Sequence, residues 1–199
     1  MVEKIAIRNY PMLTQVPIVL VGSYINGVAN FATVGAFGVV CTGPLLYASL
    51  KETHLTTSGI RAAGCFSVNV PSPALVRETD YCGMVSGREV DKSAVFETFD
   101  DPSCHAPMVQ ECHLNILCTV VDSKLVRGFE VFFGEIVATF IDSDCFTDGE
   151  PDPSKIAPLF GIGGEYFALG APVGRVFHVG RALVKTSGPK AAEGAATKA

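Results

Sequence analysis

Residues Phe129 to Ile141 read FEVFFGEIVATFI, an unbroken run of aromatic, β-branched and small residues that is too long and too apolar for a loop. Shortly before it, Leu114 to Val121 (LNILCTVV) has the same character. Two such runs in succession read as long barrel strands. Working outward toward the N-terminus, Cys65 to Val70 (CFSVNV), Leu45 to Leu50 (LLYASL) and Pro17 to Ser23 (PIVLVGS) read as three more strands. Asn26-Gly27, a dipeptide suited to positive φ, predicts a tight hairpin turn after the last of these. Leu55 to Ala63 reads as a short helix with Thr56 or Thr57 near its start. A second helix is expected over Ala74 to Met84, with Ser72 as its cap and Pro73 in its first turn. The pattern predicts a mainly β chain with short helices, its strands closing or partly closing into an antiparallel barrel.

Composition narrows the function classes. The chain has 199 residues, 48% of them hydrophobic and 18% charged, so a two-sided core or a large oligomer interface is expected. No apolar run reaches the roughly 18 residues of a spanning helix, and Met1-Val2-Glu3-Lys4 is not a basic-then-apolar leader, so a cytoplasmic location is expected. Fifteen basic residues against 20 acidic ones, with no dense basic run, argue against nucleic acid. The seven cysteines show no Cys-x-x-Cys spacing and are expected to be buried, reduced thiols, with no metal site. No repeat or linker divides the chain. One domain is expected over residues 1–186, with a flexible tail over 187–199.

The familiar enzymatic motifs are missing. No Gly-x-Gly-x-x-Gly follows a strand, Walker-type and Gly-x-Ser-x-Gly sequences do not occur, and Gly161-Ile162-Gly163-Gly164 reads as a loop before Tyr166. Three short polar segments remain. Asn30-Phe31-Ala32-Thr33 follows the hairpin turn, where amides and two polar side chains are placed to face a planar ring. Ser49-Leu50-Lys51 ends a strand, and Thr56 follows at a helix start, so a charge, a hydroxyl and free helix amides are placed to converge on an anion such as phosphate. Asp80 to Lys92 runs from a helix end through Ser86-Gly87 to Asp91-Lys92. Singly, each has a plain structural meaning: a solvated lysine, a helix cap, a surface ion pair.

In this order and spacing, the segments resemble the flavin reductase-like FMN-binding split-barrel family, and within it the flavoredoxin branch. The resemblance also takes in the strand Pro11 to Val21, Val34 to Cys41, Pro44, Ile60, Phe66 to Pro71, Phe132-Phe133-Gly134-Glu135-Ile136, Pro158-Leu159, Tyr166 and Leu169-Gly170, covering roughly residues 10 to 182. It implies a Greek-key split β-barrel that forms a homodimer. It implies FMN as cofactor, with Asn30, Phe31, Ala32 and Thr33 lining the ring and ribityl chain, Cys41 beside that segment, and Ser49 and Leu50 along the ring. Lys51 and Thr56 are implied to hold the phosphate, and Ser86, Gly87 and Lys92 to close the pocket.

Many relatives carry a His on the nicotinamide side of the flavin where this chain reads Arg127-Gly128-Phe129-Glu130, so Phe129 is the substrate-side candidate. The activity implied is an oxidoreductase of the NAD(P)H:flavin reductase type, with NADH or NADPH as donor and no catalytic side chain required. The alternative is a flavoredoxin-like electron carrier whose FMN is reduced by a redox protein partner.

Overall fold

The structure is a computed structural model that describes residues 2–7 and 14–181. By its internal contacts the chain divides into two units, Met1–Leu169 and Gly170–Ala199. In the second, the described part is exposed and carries one turn, in which the His178 amide donates to the Arg175 carbonyl at 3.1 Å. The expected tail, and the start of the first family-like segment at Pro11, lie outside the described residues.

The first unit opens with β1 (Val16–Pro17), β2 (Val19–Ile25), β3 (Val28–Val34), β4 (Phe37–Val39) and β5 (Leu45–Lys51). Helix α1 (Leu55–Ala63), strand β6 (Cys65–Val70) and helix α2 (Val76–Met84) follow. Then come β7 (Thr98–Asp101), β8 (Cys104–Val109), β9 (Leu114–Val126) and β10 (Phe129–Ile141). A small hairpin, β11 (Phe146–Thr147) and β12 (Glu150–Pro151), helix α3 (Pro153–Ile156), β13 (Phe160–Ile162) and β14 (Glu165–Phe167) complete it.

Seven strands form one antiparallel sheet in the order β3-β2-β6-β9-β10-β5-β4. Val19, Val21, Ala32 and Val34 near one edge share a core with Leu46, Ala48 and Leu50 near the other, and with Phe66, Val68, Cys118 and Phe132 between them. A flat sheet cannot bring both margins into one cluster, so the sheet curls into a half-barrel. Ile60 of α1 adds to this core. Curling demands close approach, and Gly134 meets that demand, since a Cβ there would stand 2.6 Å from the Phe66 ring.

The outer face is covered in two places. Leu20 and Phe31 pack with Cys82 and Phe96, and Cys65 and Leu117 pack with Ala106 and Met108. Burial on both faces explains why β2 reads as a nearly continuous apolar run, while the alternate residues of β6 on the covered outer face, Ser67 and Asn69, are buried polar groups with hydrogen-bond partners.

Local sequence accounts for most boundaries. Asn26 (φ 52°) and Gly27 (φ 80°) turn β2 into β3, as expected. Arg127 (φ 51°) and Gly128 (φ 79°) do the same between β9 and β10, so β9 runs on to Val126 instead of stopping at Val121. Gly163 and Gly164 (φ 64° and 96°) turn a β13–β14 hairpin where the sequence suggested a loop. Ser72 makes no side-chain cap bond. A 3₁₀ turn over Pro73–Leu75 precedes α2, and the Leu75 amide goes to the Ser72 carbonyl instead. Six of the seven cysteines are buried, but Cys41 is exposed, and all are free thiols. No helix among the described residues is long and apolar enough to cross a membrane.

Candidate functional site

Between β3, the start of α1 and the end of α2 lies a cleft of about 240 Å³. Its first wall is β3. The Asn30 side-chain amide donates to the Thr56 hydroxyl at 2.7 Å, fastening the strand to α1, and the Ser23 hydroxyl donates to the Thr56 carbonyl at 3.1 Å. Thr33 donates its hydroxyl to the Thr79 carbonyl and so joins β3 to α2.

The second wall is the turn from β5 into α1. The Lys51 carbonyl accepts from the Thr57 hydroxyl at 2.8 Å and from the His54 amide at 3.0 Å, which folds the chain back on itself. The first helical bond runs from the Ser58 amide to the His54 carbonyl, so the amides of Leu55, Thr56 and Thr57 precede the ladder. Amides in that position, at the positive end of the helix dipole, favour an anion. His54, rather than a threonine, is the cap residue, and its side chain makes no cap bond.

The third wall is α2 and the segment after it. Lys92 is only 4% exposed, and its ammonium donates to the carbonyls of Phe31 at 3.1 Å and Cys82 at 2.8 Å. The surface ion pair considered for Asp91-Lys92 is therefore not what forms. Asp91 accepts from the Ser93 amide, while Lys92 turns inward. Gly87 lies against β3 so closely that a Cβ would stand 2.2 Å from the Asn30 side-chain oxygen. Arg88 holds the same segment to the β5–α1 turn through the Thr53 carbonyl, at 3.0 Å. A second cleft of about 270 Å³ adjoins the first and shares Asn30, Leu55, Gly87 and Lys92 with it.

The local field is positive in a chain of net charge −5. Burial pushes the His54 imidazole below its ordinary value, and the charges of Lys51 and Lys92 push it further. Burial also lowers Lys92, and raises the Cys82 thiol to about 11.

Eight residues singled out in the sequence meet in the cleft: Asn30, Ala32, Thr33, Lys51, Thr56, Ser86, Gly87 and Lys92. Five do not line it. Phe31 packs edge-to-face on Phe96 in the outer core and contributes only its carbonyl, through Lys92. Leu50 points into the barrel and Ser49 to the opposite face, because side chains alternate along β5. Cys41 lies exposed between β4 and β5. Phe129 pairs with Lys51 across β10 and β5, 42% exposed and outside the cleft. Conversely, His54 and Leu55 line the cleft without having been picked out, and the run Cys82 to Val85, inside the third segment, lines it without having been assigned a contact. His54 and Leu55 stand between two chosen residues; Cys82 to Val85 gave no chemical signal, being apolar or small.

A family model described as flavin reductase like domain matches residues 12–170. Among solved structures, flavoredoxin from Methanosarcina acetivorans is similar with a TM-score of 0.87 and 36% identity, over 92% of this chain and 100% of that one. Flavoredoxin of Desulfovibrio vulgaris (Miyazaki F) is similar with a TM-score of 0.81 and 28% identity, over 90% of this chain and 100% of that one. An uncharacterized protein of Archaeoglobus fulgidus is 29% identical over 110 residues, which is 54% of this chain and 62% of that relative. The chain thus spans somewhat less than two thirds of that relative's length.

Proposed function

The chain belongs to the flavin reductase-like family of flavoproteins, matched over residues 12–170, and on that footing we propose that its cleft holds FMN and that it works as a flavoredoxin-type electron carrier. One observation carries the cofactor assignment. Lys51, the Asn30–Thr56 pair and the open amides at the start of α1 meet at one end of the cleft, in an otherwise acidic chain. A flavin phosphate carries about −1.5 to −2 charges near neutrality, and this donor set complements it with one ammonium, one hydroxyl and backbone N–H groups.

The rest of the cleft fits as well. Gly87 lets the loop close against Asn30 at one side of the cleft, and Ala32 and Thr33 offer small side chains along β3, which keeps that wall low for a flat ring. Lys92 has three N–H donors, of which two go to carbonyls, so one remains for an acceptor in the cleft. FMN, when bound, supplies the redox chemistry, and the side chains named here hold and orient it.

The carrier reading rests on similarity to two flavoredoxins along their full lengths and on Phe129, an exposed apolar ring beside Lys51 that suits contact with a protein. The family description, a flavin reductase, favours the second reading, reduction by NADH or NADPH. We also infer a homodimer through the outer face of β5 and β10, where Tyr47, Val131 and Phe133 are half-buried with nothing from the three apolar clusters over them.

The purified protein is expected to quench FMN fluorescence on titration and to sediment as a dimer at micromolar concentration. Mixed without oxygen with excess NADH or NADPH, the loaded protein should keep its blue absorbance for seconds, while dithionite bleaches it. Prompt bleaching by either nucleotide would replace the carrier with the reductase. Absence of any FMN titration would remove both, and a monomer removes the dimer alone.

A further inference from the structure

At the end of α1 opposite the cleft, two thiols meet beneath an open pocket. Gly64 ends α1, and Cys65, the next residue, opens β6; Cys104 opens β8, which packs on the outer face of β6. Both thiols line a pocket of about 420 Å³ together with Gly64, Ser103, His105 and Thr119. Cys65 is 6% exposed and Cys104 7%, so each is shielded without being sealed. Both belong to one buried cluster in which β6, β8 and β9 meet. Cys65 Sγ also lies 3.5 Å from the His105 carbonyl, and Cys104 Sγ lies 3.5 Å from the Cys118 carbonyl. Ala106, Met108 and Leu117 pack under the pair and hold β6, β8 and β9 in place.

We propose that Cys65 and Cys104 are a redox-active dithiol that closes to an intramolecular disulfide by exchange with a small organic disulfide entering this pocket. The inference does not rest on the flavin. The pair is asymmetric in the way such exchange requires. The neighbouring Cys104 side chain lowers the pKa of Cys65, while the neighbouring Cys65 side chain, with burial, raises that of Cys104. Cys65 is thus the attacking thiolate and Cys104 keeps its proton until the second step.

In the first step the Cys65 thiolate forms a bond to one sulfur of the small disulfide, breaking its S–S bond and releasing one thiolate, which takes up a proton. In the second, Cys104 gives up its proton and attacks Cys65 Sγ, expelling the other small thiol. Two protein thiols are oxidised and one organic disulfide is reduced to two thiols, with no other electron acceptor.

The remaining cysteines are unsuited to the reaction. Cys41 is exposed but single, and burial raises the pKa of Cys82, Cys112, Cys118 and Cys145.

The test uses the reduced full chain and glutathione disulfide. Peptide mapping should find Cys65 linked to Cys104, with a mass loss of about 2 Da for the two hydrogens removed, and any glutathione adduct confined to Cys41. Cys104→Ser should trap glutathione on Cys65, because no second thiol resolves it, and Cys65→Ser should leave Cys104 unmodified. In the Cys104→Ser chain, where the neighbouring group is a hydroxyl, trapping should still proceed below the ordinary thiol pKa of about 8.5. Absence of the Cys65–Cys104 link in the native chain, under conditions that modify Cys41, overturns the proposal. So does a link that forms only once urea has unfolded the chain. The native-chain mapping needs no variant to fold.

Discussion

Two lysines line the same cleft and are placed for opposite tasks. Lys92 comes from the segment after α2, is buried, and spends two of its donors on main-chain carbonyls of β3 and α2. Lys51 ends β5, is exposed, and only its carbonyl is engaged, by the turn into α1. One ammonium is part of the wall; the other is free to meet a ligand. The contrast teaches that charge alone does not mark a binding residue: what matters is whether the donors are already committed when the fold is complete.

The largest effect should come from the committed lysine. Lys92→Met keeps a long apolar stem but leaves the Phe31 and Cys82 carbonyls without their charged donor. Bonds to charged groups contribute about 1.5–3 kcal/mol each, less the desolvation that the ammonium no longer suffers, so a net loss of about 2–3 kcal/mol is expected in urea unfolding. The cleft should loosen with it, since the bond joins two of its three walls. An unchanged midpoint would erase the distinction between the lysines.

Lys51→Met should do the reverse. Its hydrogen bonds to the fold run through the backbone, so stability should stay within about 0.5 kcal/mol, while FMN affinity should weaken by about 1–3 kcal/mol as a charge-assisted bond disappears. Isothermal titration of both variants against FMN sharpens the comparison. If Lys51→Met binds as tightly as the native chain, the anion sits elsewhere and the assignment of this end of the cleft fails.

The same contrast explains what could be seen in the sequence. Strand cores were legible because β-branched and aromatic runs are read by local rules: Cys65–Val70 and Phe129–Ile141 fall where they were expected. The α1 end of the cleft was legible for a similar reason, because Lys51 and Thr56 straddle a helix start within one short stretch. Lys92 was placed in the pocket by resemblance, but nothing local told that its ammonium turns inward. Its partners are 61 and 10 residues away, and Phe31 supplies only a carbonyl, which every residue has. Leu50 and Ser49 were placed along the ring by resemblance, and they do not line the cleft because alternation along β5 turns one into the barrel and the other to the opposite face. Cys82 to Val85 fell within the third segment but were given no contact of their own, because a wall made of backbone and apolar or small groups has no chemical signature.

The smallest effect concerns His54, which stands between the two lysines. Burial, then the charges of Lys51 and Lys92, hold its pKa in the folded chain below the ordinary value of 6.5. The unfolded chain therefore takes up this proton more readily than the folded one, and stability rises with pH wherever that is so. Stability is complete above the unfolded pKa and declines as pH falls through about 6.5 toward the folded value. The melting temperature of the FMN-free protein should accordingly drop between about pH 7.5 and 5.5, and His54→Gln should flatten that slope. With FMN bound, the phosphate charge at the start of α1 opposes the two ammonium groups, so the loaded protein should show the weaker dependence. A His54→Gln chain with the native slope would mean that the lysine charges are screened at this position, and the positive field assigned to the cleft would have to come from the helix amides alone.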